Sequence, residues 1–216
     1  MNLVFLGPPG SGKGTQAVKL AQKLGLKHLS TGDVLRDAVK RGSELGKQAE
    51  GYMKRGELVP DGLIIGLIES MIKAGELNGG FILDGFPRTV PQALGLKEML
   101  YNNDINLDTA ILFAVDDEEI VKRLSGRWYC PKCNTGYNYP AQMPGVEGRC
   151  DKDNAQLRRR PDDDEAVVRN RLEVYKKQTK PIEDFYRGES ILVEIKAQKT
   201  PDEVFEAVLK EVSSKT

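Results

Sequence analysis

An apolar run, Leu3-Val4-Phe5-Leu6, breaks directly into Gly7-Pro8-Pro9-Gly10-Ser11-Gly12-Lys13-Gly14-Thr15-Gln16. Few local patterns restrict a fold more. A buried strand that ends in glycines and a lysine, then enters a helix, forms a cradle for phosphate. Gly7, Gly10, Gly12 and Gly14 carry no Cβ, so the backbone can curl around an anion and turn several N–H groups inward. A helix beginning near Lys13 adds the positive end of its dipole. Lys13 itself supplies a full charge for the outer phosphates. Such loops usually end in Gly-Lys followed at once by Ser or Thr; here Gly14 intervenes and Thr15 comes next. The plain alternative is an ordinary glycine-rich turn, but strand, glycines, lysine and helix agree on the cradle.

The rest of the chain carries the same rhythm. Strands are expected at Leu3–Leu6, His28–Ser30, Phe81–Leu83, Ala110–Val115 and Ile191–Ile195. The first, third and fourth are continuously apolar, as strands of a parallel sheet covered on both faces should be. Helical patterns lie between them, at Thr15–Leu24, Leu63–Ala74, Pro91–Tyr101, Asp117–Leu124 and Pro201–Val212. Asp116 or Asp117 is available to cap the fourth of these. Asp162 and Glu165 have the spacing of a capping box for a long helix through Lys177. Strand–helix alternation predicts a doubly wound α/β sheet. Two stretches interrupt it. Thr31–Pro60 holds short polar helical patches broken by glycines, and Trp128–Arg160 is rich in Gly, Pro, Cys, Asn and Tyr with no helical period. Both sit where functional insertions occur, after the carboxyl ends of strands.

Composition narrows the partners. The 216 residues suit one α/β domain with insertions. Charged residues make up 30% yet balance to zero, which disfavours nucleic acid and membrane surfaces as partners. Anions must then be bound by local clusters. No stretch approaches a membrane span, and the N-terminus shows no basic leader or cleavage site. Three cysteines, an odd number, point to a reducing cytoplasm and away from a disulfide framework.

Those cysteines have a pattern. Cys130-x-x-Cys133 is followed by Cys150-x-x-Asp153. Two knuckles of matching spacing can bring four donors into the tetrahedron zinc accepts, and zinc tolerates one carboxylate oxygen. Asp151 competes for the fourth place, but only Asp153 repeats the gap. Four protein ligands would close the site and make it structural, holding together a flap with no hydrophobic core of its own. Three incidental thiols in a polar loop are the bland reading.

Taken together, GPPGSGKGTQ from Gly7, STGDVLR from Ser30, GELVPD from Gly56, LDGFPRT from Leu83, RLSGR from Arg123 and RPDDDEAVVRNRL from Arg160 resemble the adenylate kinase family. The likeness covers nearly the whole chain in the right order. The cysteine segment resembles the zinc-bearing lid of the long-lid bacterial form, although Tyr139–Gly148 lacks the Asn-Pro-Pro turn often found there. The resemblance implies a P-loop NTPase-type α/β fold: a parallel five-stranded sheet flanked by helices, with an AMP-binding insertion and a zinc-binding lid. It divides the chain into a core (1–29, 61–126 and 161–216), an insertion (30–60) and a lid (127–160). The implied reaction is Mg·ATP + AMP ⇌ 2 ADP, in the cytoplasm and by a monomer. Mg²⁺ would accompany ATP and Zn²⁺ would be structural.

The resemblance also implies roles, motif by motif. Lys13 tracks the outer phosphates of ATP, and Gly10, Ser11, Gly12, Gly14 and Thr15 cradle them. Thr31 and Gln92 serve the AMP base, and Arg36 and Arg88 its phosphate. Glu57, Leu58, Val59, Gly85, Phe86 and Pro87 line the same pocket. Arg123 and Arg127 hold ATP, with Gly136, Tyr137 and Lys199 near its base. Arg160 and Arg171 clamp the transferring phosphoryl group and AMP. Asp84 holds Mg²⁺ through water, and Asp33 assists. Asp162 and Asp163 help latch the closed lid, and Gly126 is a hinge position. His28, Trp128 and Tyr129 are read as structural, Arg158 and Arg159 as surface charge. Taken singly, an arginine is usually a solvated surface residue; it is the motifs that assign these.

Two rivals stand beside this reading. One is a UMP or CMP kinase, although such relatives usually have a short lid without cysteine knuckles. The other is a zinc-ribbon regulatory or nucleic-acid-binding module with an inactive phosphate loop, against which the Asp162–Glu165 acidic run counts. A GTPase is disfavoured because no Asn-Lys-x-Asp motif appears.

Overall fold

The computed structural model describes residues 1–214, and of Pro161 the backbone alone. The first half runs β1 (Asn2–Leu6), α1 (Lys13–Leu24), β2 (Lys27–Ser30), α2 (Thr31–Lys40), α3 (Glu44–Arg55), α4 (Asp61–Lys73), β3 (Phe81–Asp84) and α5 (Val90–Tyr101). The second runs β4 (Thr109–Ala114), α6 (Asp117–Ser125), β5 (Arg127–Tyr129), β6 (Gly136–Asn138), α7 (Glu165–Val174), α8 (Pro181–Gly188), β7 (Leu192–Lys196) and α9 (Pro201–Ser213). A five-stranded parallel sheet has the order β2-β3-β1-β4-β7. Every expected strand is present, in the expected class of fold.

The continuous apolar strands have a direct cause. Alternate residues of one strand enter different cores. Val4, Leu6, Phe81, Leu83, Ala110 and Leu112 pack with Ile64, Ile68, Leu96 and Ile182 on one face. Leu3, Phe5, Ile82, Ile111 and Phe113 pack with Leu20, Val204 and Val208 on the other. A strand buried on both sides has no polar face to show. The chain leaves β1 toward β2 on one side and later crosses back to β4 on the other. That reversal opens a crevice at the carboxyl ends of the central strands, where Gly7 follows β1 and Asp84 ends β3.

The insertion after β2 is two helices, α2 and α3, packed on each other. Each starts on a serine cap: Ser30 accepts from the Asp33 N–H at 3.3 Å and Ser43 from the Gly46 N–H at 3.2 Å. The capping box expected at Asp162 and Glu165 is not formed. Residues 161–163 make a short 3-10 turn, and Asp164 caps α7 by accepting from the Ala166 N–H at 3.1 Å. The helix also does not run uniformly to Lys177; it widens to a π-helical stretch at Tyr175–Thr179. Asp116 occupies the cap position of α6, but its side chain makes no cap bond and accepts instead from the Gln198 amide. The capping box the chain does form is at α9, between Thr200 and Glu203.

The segment without helical period contains an antiparallel pair, β5 with β6, each too short to show alternation in sequence. Beneath it lies a small core of Cys130, Tyr137, Cys150 and Leu157. Gly126 joins this unit to α6. Its φ of −87° is ordinary, so the glycine is required by space: a Cβ there would stand 2.4 Å from the Tyr139 carbonyl oxygen. The Tyr139 N–H in turn donates to the Gly126 carbonyl at 2.8 Å. Trp128 and Tyr139 pack as tilted rings 5.9 Å apart at the same junction. Among the described residues no helix is long and apolar enough to cross a membrane.

Candidate active site

The loop after β1 takes the expected form. Gly10 and Gly12 have φ of +80° and +91°, and a Cβ on Gly10 would also stand 2.8 Å from the Leu124 side chain. Gly12 caps α1 with no side-chain bond, and no acidic residue occupies the first turn. The N–H groups at that helix end are therefore left for an anion. The Lys13 ammonium lies inside the loop, donating to the carbonyls of Gly7 at 2.7 Å and Pro8 at 2.8 Å and to Ser11 Oγ at 3.2 Å. Burial pushes its pKa down to about 8; Asp84 opposes this, while Arg88, Arg171 and Arg127 add to it. His28 Nε2 lies 3.6 Å from Asp84 Oδ2, inside the crevice floor.

Across the crevice, the turn after β3 is held from within. Arg88 Nε donates to the Gly85 carbonyl at 2.7 Å, and the same carbonyl accepts from Thr31 Oγ1 at 2.8 Å. Phe86 and Pro87 are buried beneath the turn. The Arg88 N–H donates to Gln92 Oε1 at 2.7 Å. Gln92 Nε2 donates to Asp61 Oδ1 at 2.7 Å, and Thr89 Oγ1 donates to Asp61 Oδ2 at 2.9 Å. Val59 is buried, Leu58 half-buried, and Glu57 is exposed in an ion pair with Arg55.

The arginines converge and are matched by acids. Arg36 pairs with Asp33 at 2.5 Å, and Arg160 lies 3.7 Å from the same oxygen. Asp33 thus serves these arginines. Arg171 pairs with Asp162 at 2.8 Å and lies 3.6 Å from Asp163. Arg127 grips both oxygens of Asp163, Nε to Oδ2 at 2.7 Å and Nη2 to Oδ1. Asp163 is 1% exposed, so Arg127 is what makes its charge tolerable there. Burial lowers the Arg160 and Arg171 pKa values to about 10, and neighbouring arginines push the same way: Arg36 and Arg127 on Arg160, Arg127 and Arg88 on Arg171. Burial also lowers that of Arg88. Burial would raise the Asp162 carboxyl, but Arg171, Arg127, Arg36 and Arg160 outweigh it and hold it below its usual range. Partly buried cations that repel one another at a helix N-terminus form a site for a polyanion.

At the far side, Arg123 pairs with Glu119 at 2.7 Å, and its carbonyl accepts from Asn138 Nδ2 at 2.6 Å. A cleft of about 540 Å³ lies beside it, lined by Asp116, Glu118, Glu119, Lys122 and Gln198. Lys199 is exposed, next in sequence to Gln198 and directly before the α9 cap, Thr200. Gly136 is exposed on the lid. Tyr137 was expected near a base, but the structure places it in the lid core, 5% exposed, donating to Cys150 Sγ at 3.4 Å. Its alternation within β6 turns it inward under the hairpin.

The cysteine knuckles meet. Ligand atoms of Cys130, Cys133, Cys150 and Asp153 all lie within 4.8 Å of one another. Cys133 and Cys150 sulfurs are 3.5 Å apart, and Cys130 Sγ is 3.3 Å from both Asp153 oxygens. A tetrahedron with zinc–sulfur bonds of about 2.3 Å has edges near 3.8 Å, so the donor set fits that ion. Asp151 is used elsewhere: its Oδ1 accepts from the Gly145 N–H at 2.8 Å. The spacing argument for Asp153 therefore holds in space.

The profile of the family described as adenylate kinase matches residues 5–191. An adenylate kinase of Methanothrix thermoacetophila is 45% identical over 213 residues, 99% of each chain. One of Thermodesulfovibrio yellowstonii is 46% identical over 208 residues, 96% of this chain and 97% of its own. One of Staphylococcus aureus is 44% identical over 209 residues, 97% of each. The chain belongs to the adenylate kinase family. The matched span covers the phosphate loop, the arginine crevice and the cysteine segment.

Sequence reasoning missed most of the groups that hold the named residues in place; of them Asp163 alone was named, as part of the lid latch. Asp61, Glu119, Asn138 and Asp163 bond to the Arg88 turn, to Arg123 and to Arg127. Three of these bonds join residues fifteen or more positions apart, so no local spacing announces them. Only Glu119 with Arg123, four apart on one helix, was legible as a pair.

Proposed function

We propose that the crevice transfers a phosphoryl group from Mg·ATP to AMP, giving two ADP and running in both directions. The supporting observation is the cluster of buried cations around Lys13: burial first, and neighbouring arginines with it, lower the Lys13, Arg160 and Arg171 pKa values, and a bound polyanion would offset both. At about 4 Å and an effective dielectric near 20, each charge pair with a phosphate is worth roughly 4 kcal/mol before desolvation. An oxygen of the AMP phosphate attacks the γ-phosphorus, and the bond to the β–γ bridging oxygen breaks. That oxygen is already anionic at neutral pH, since the second phosphate pKa is about 6, so no strong base is needed.

Gly10, Ser11, Gly12, Gly14 and Thr15 cradle the ATP phosphates and Lys13 holds the outer ones. Thr31, Gln92 and residues 57–59 take the AMP base, Arg36 and Arg88 its phosphate. Arg123 and Arg127 hold ATP, whose base lies toward Gln198 and Lys199. Arg160 and Arg171 brace the group in flight, where a planar fork binds oxygens in pairs. Asp84 would hold a Mg²⁺ through water, assisted by Asp33, which also pairs with Arg36, and the ion would supply charge neutralisation for the phosphates. The lid (127–160) and insertion (30–60) close on the core to exclude water, which would otherwise waste ATP. A monomer acting in the cytoplasm, without nucleic acid or membrane, is sufficient.

Diphosphate formation from Mg·ATP and each nucleoside monophosphate tests this directly. Rapid Mg-dependent ADP formation with AMP, and little product with UMP, CMP or GMP, is the expected result. Preference for a pyrimidine would overturn the substrate, and ATP binding without turnover would favour a binding module.

The lid cluster is proposed to hold a structural Zn²⁺, because its small core offers little other support. Cys130→Ser is expected to release about one equivalent of zinc and to lower the unfolding temperature of the lid. Metal analysis with calorimetry checks this; zinc loss with unchanged melting would sink the structural role.

A further inference from the structure

Gln92 has a fixed hydrogen-bonding polarity, and Asp61 is the reason. A side-chain amide offers two donors and about two acceptor sites, and its two ends are otherwise interchangeable by rotation. Here Gln92 Oε1 faces the Arg88 N–H at 2.7 Å, a group that can only donate. Gln92 Nε2 faces Asp61 Oδ1 at 2.7 Å, and an ionised carboxylate can only accept. Rotating the amide would set donor against donor and acceptor against acceptor at once. Asp61 is itself held: its other oxygen accepts from Thr89 Oγ1 at 2.9 Å, and Thr89 Oγ1 accepts from the Gln92 N–H at 3.2 Å. The ring of bonds closes across residues 61, 89 and 92, and Gln92 is 2% exposed.

The count leaves Gln92 one donor hydrogen and one acceptor site. Adenine presents an acceptor (N1) beside a donor (the 6-amino group). A 6-oxo purine presents the reverse, a donor N1–H beside an acceptor oxygen. An amide of fixed polarity pairs with one and meets the other with like against like. We infer that Asp61 is a positioning residue that locks the Gln92 amide and so selects a 6-amino purine monophosphate over its 6-oxo analogue. This rests on the proposed seating of the monophosphate base at Gln92. Asp61 touches no substrate; it acts through Gln92 and, through the Arg88 N–H, on the turn that presents the Arg88 guanidinium.

The test uses the full chain with Mg·ATP and either AMP or inosine monophosphate. Asp61→Asn keeps the shape but lets the position donate as well as accept. It is expected to lower the AMP-to-IMP ratio of kcat/KM by about tenfold and to raise KM for AMP several-fold, as loss of one oriented polar contact would. KM for ATP should stay within about twofold. Asp61→Glu and Asp61→Gln form a second pair, equal in length and different in polarity. The glutamate should keep more of the selectivity than the glutamine, whatever their shared effect on stability. An unchanged AMP-to-IMP ratio in both amide variants, while Gln92→Leu abolishes it, overturns the role of Asp61 and leaves the site assignment standing. If Gln92→Leu changes neither KM for AMP nor the ratio, the seating of the base is wrong and the inference falls with it. Equal rises in both KM values with a lowered melting temperature and an intact ratio would reduce Asp61 to a scaffold residue.

Discussion

Lys13→Met lowers kcat by about three orders of magnitude, the scale seen when one preorganised charge is removed from a transferring group. The fold should survive, because the ammonium is held only by the loop's own carbonyls and Ser11. Methionine keeps the length of the stem and removes the charge. Stopped-flow or coupled assays of ADP formation, with circular dichroism as a control, measure this. A loss under tenfold would mean the arginines carry the outer phosphates without it. The same lysine predicts a pH signature. In the free protein its pKa lies at about 8, and bound phosphate raises it. Below that pH both states hold the proton and ATP affinity is level. Above it, binding must take up a proton, so affinity falls by up to about tenfold per pH unit until the complex also titrates. The unliganded fold shows the opposite sign: an unfolded lysine keeps its proton to 10.5, so stability rises with pH between about 8 and that value. Lys13→Met should abolish both slopes.

Arg88→Lys is expected to raise KM for AMP by about tenfold or more and to lower kcat about a hundredfold, although the charge is kept. Arg88 Nε is anchored to the Gly85 carbonyl at 2.7 Å, which would leave the two terminal nitrogens to meet the phosphate of the proposed AMP site together. Lysine offers a point charge and no anchored fork. It should also leave KM for ATP nearly unchanged, which separates this variant from a general loss of folding. Steady-state kinetics varying each substrate in turn decides the matter. Equal rises in both KM values would place Arg88 between the nucleotides and not on the monophosphate side.

The crevice shows why some of this was legible in one dimension and some was not. The phosphate loop is a local object: a strand end, glycines with φ near +80° to +90°, a lysine and a helix start, all within a dozen residues. The paired cysteine knuckles are local in the same sense, and their four donors do converge. Helix caps proved less certain. Asp162 and Glu165 have capping-box spacing, yet Asp162 pairs with Arg171 and Asp164 takes the cap. A carboxylate beside a buried guanidinium gains more than one beside a surface helix end, so the tertiary partner prevailed over the local one. Tyr137 makes the same point. The family resemblance set it near the ATP base, whereas the ring is buried with Cys130, Cys150 and Leu157.

The sequence by itself determined the class of fold, the phosphate cradle and the donor set of the lid. Each depends on short-range spacing, on alternation of side chains or on backbone freedom at glycine, and those are properties of neighbours along the chain. Tertiary structure decided which acid neutralises which arginine, and which way the Gln92 amide faces. Asp61 and Gln92 are thirty-one residues apart, and Arg127 and Asp163 are thirty-six. Such pairs form only because burial makes an unpaired charge or amide costly, and burial is settled by the packed whole.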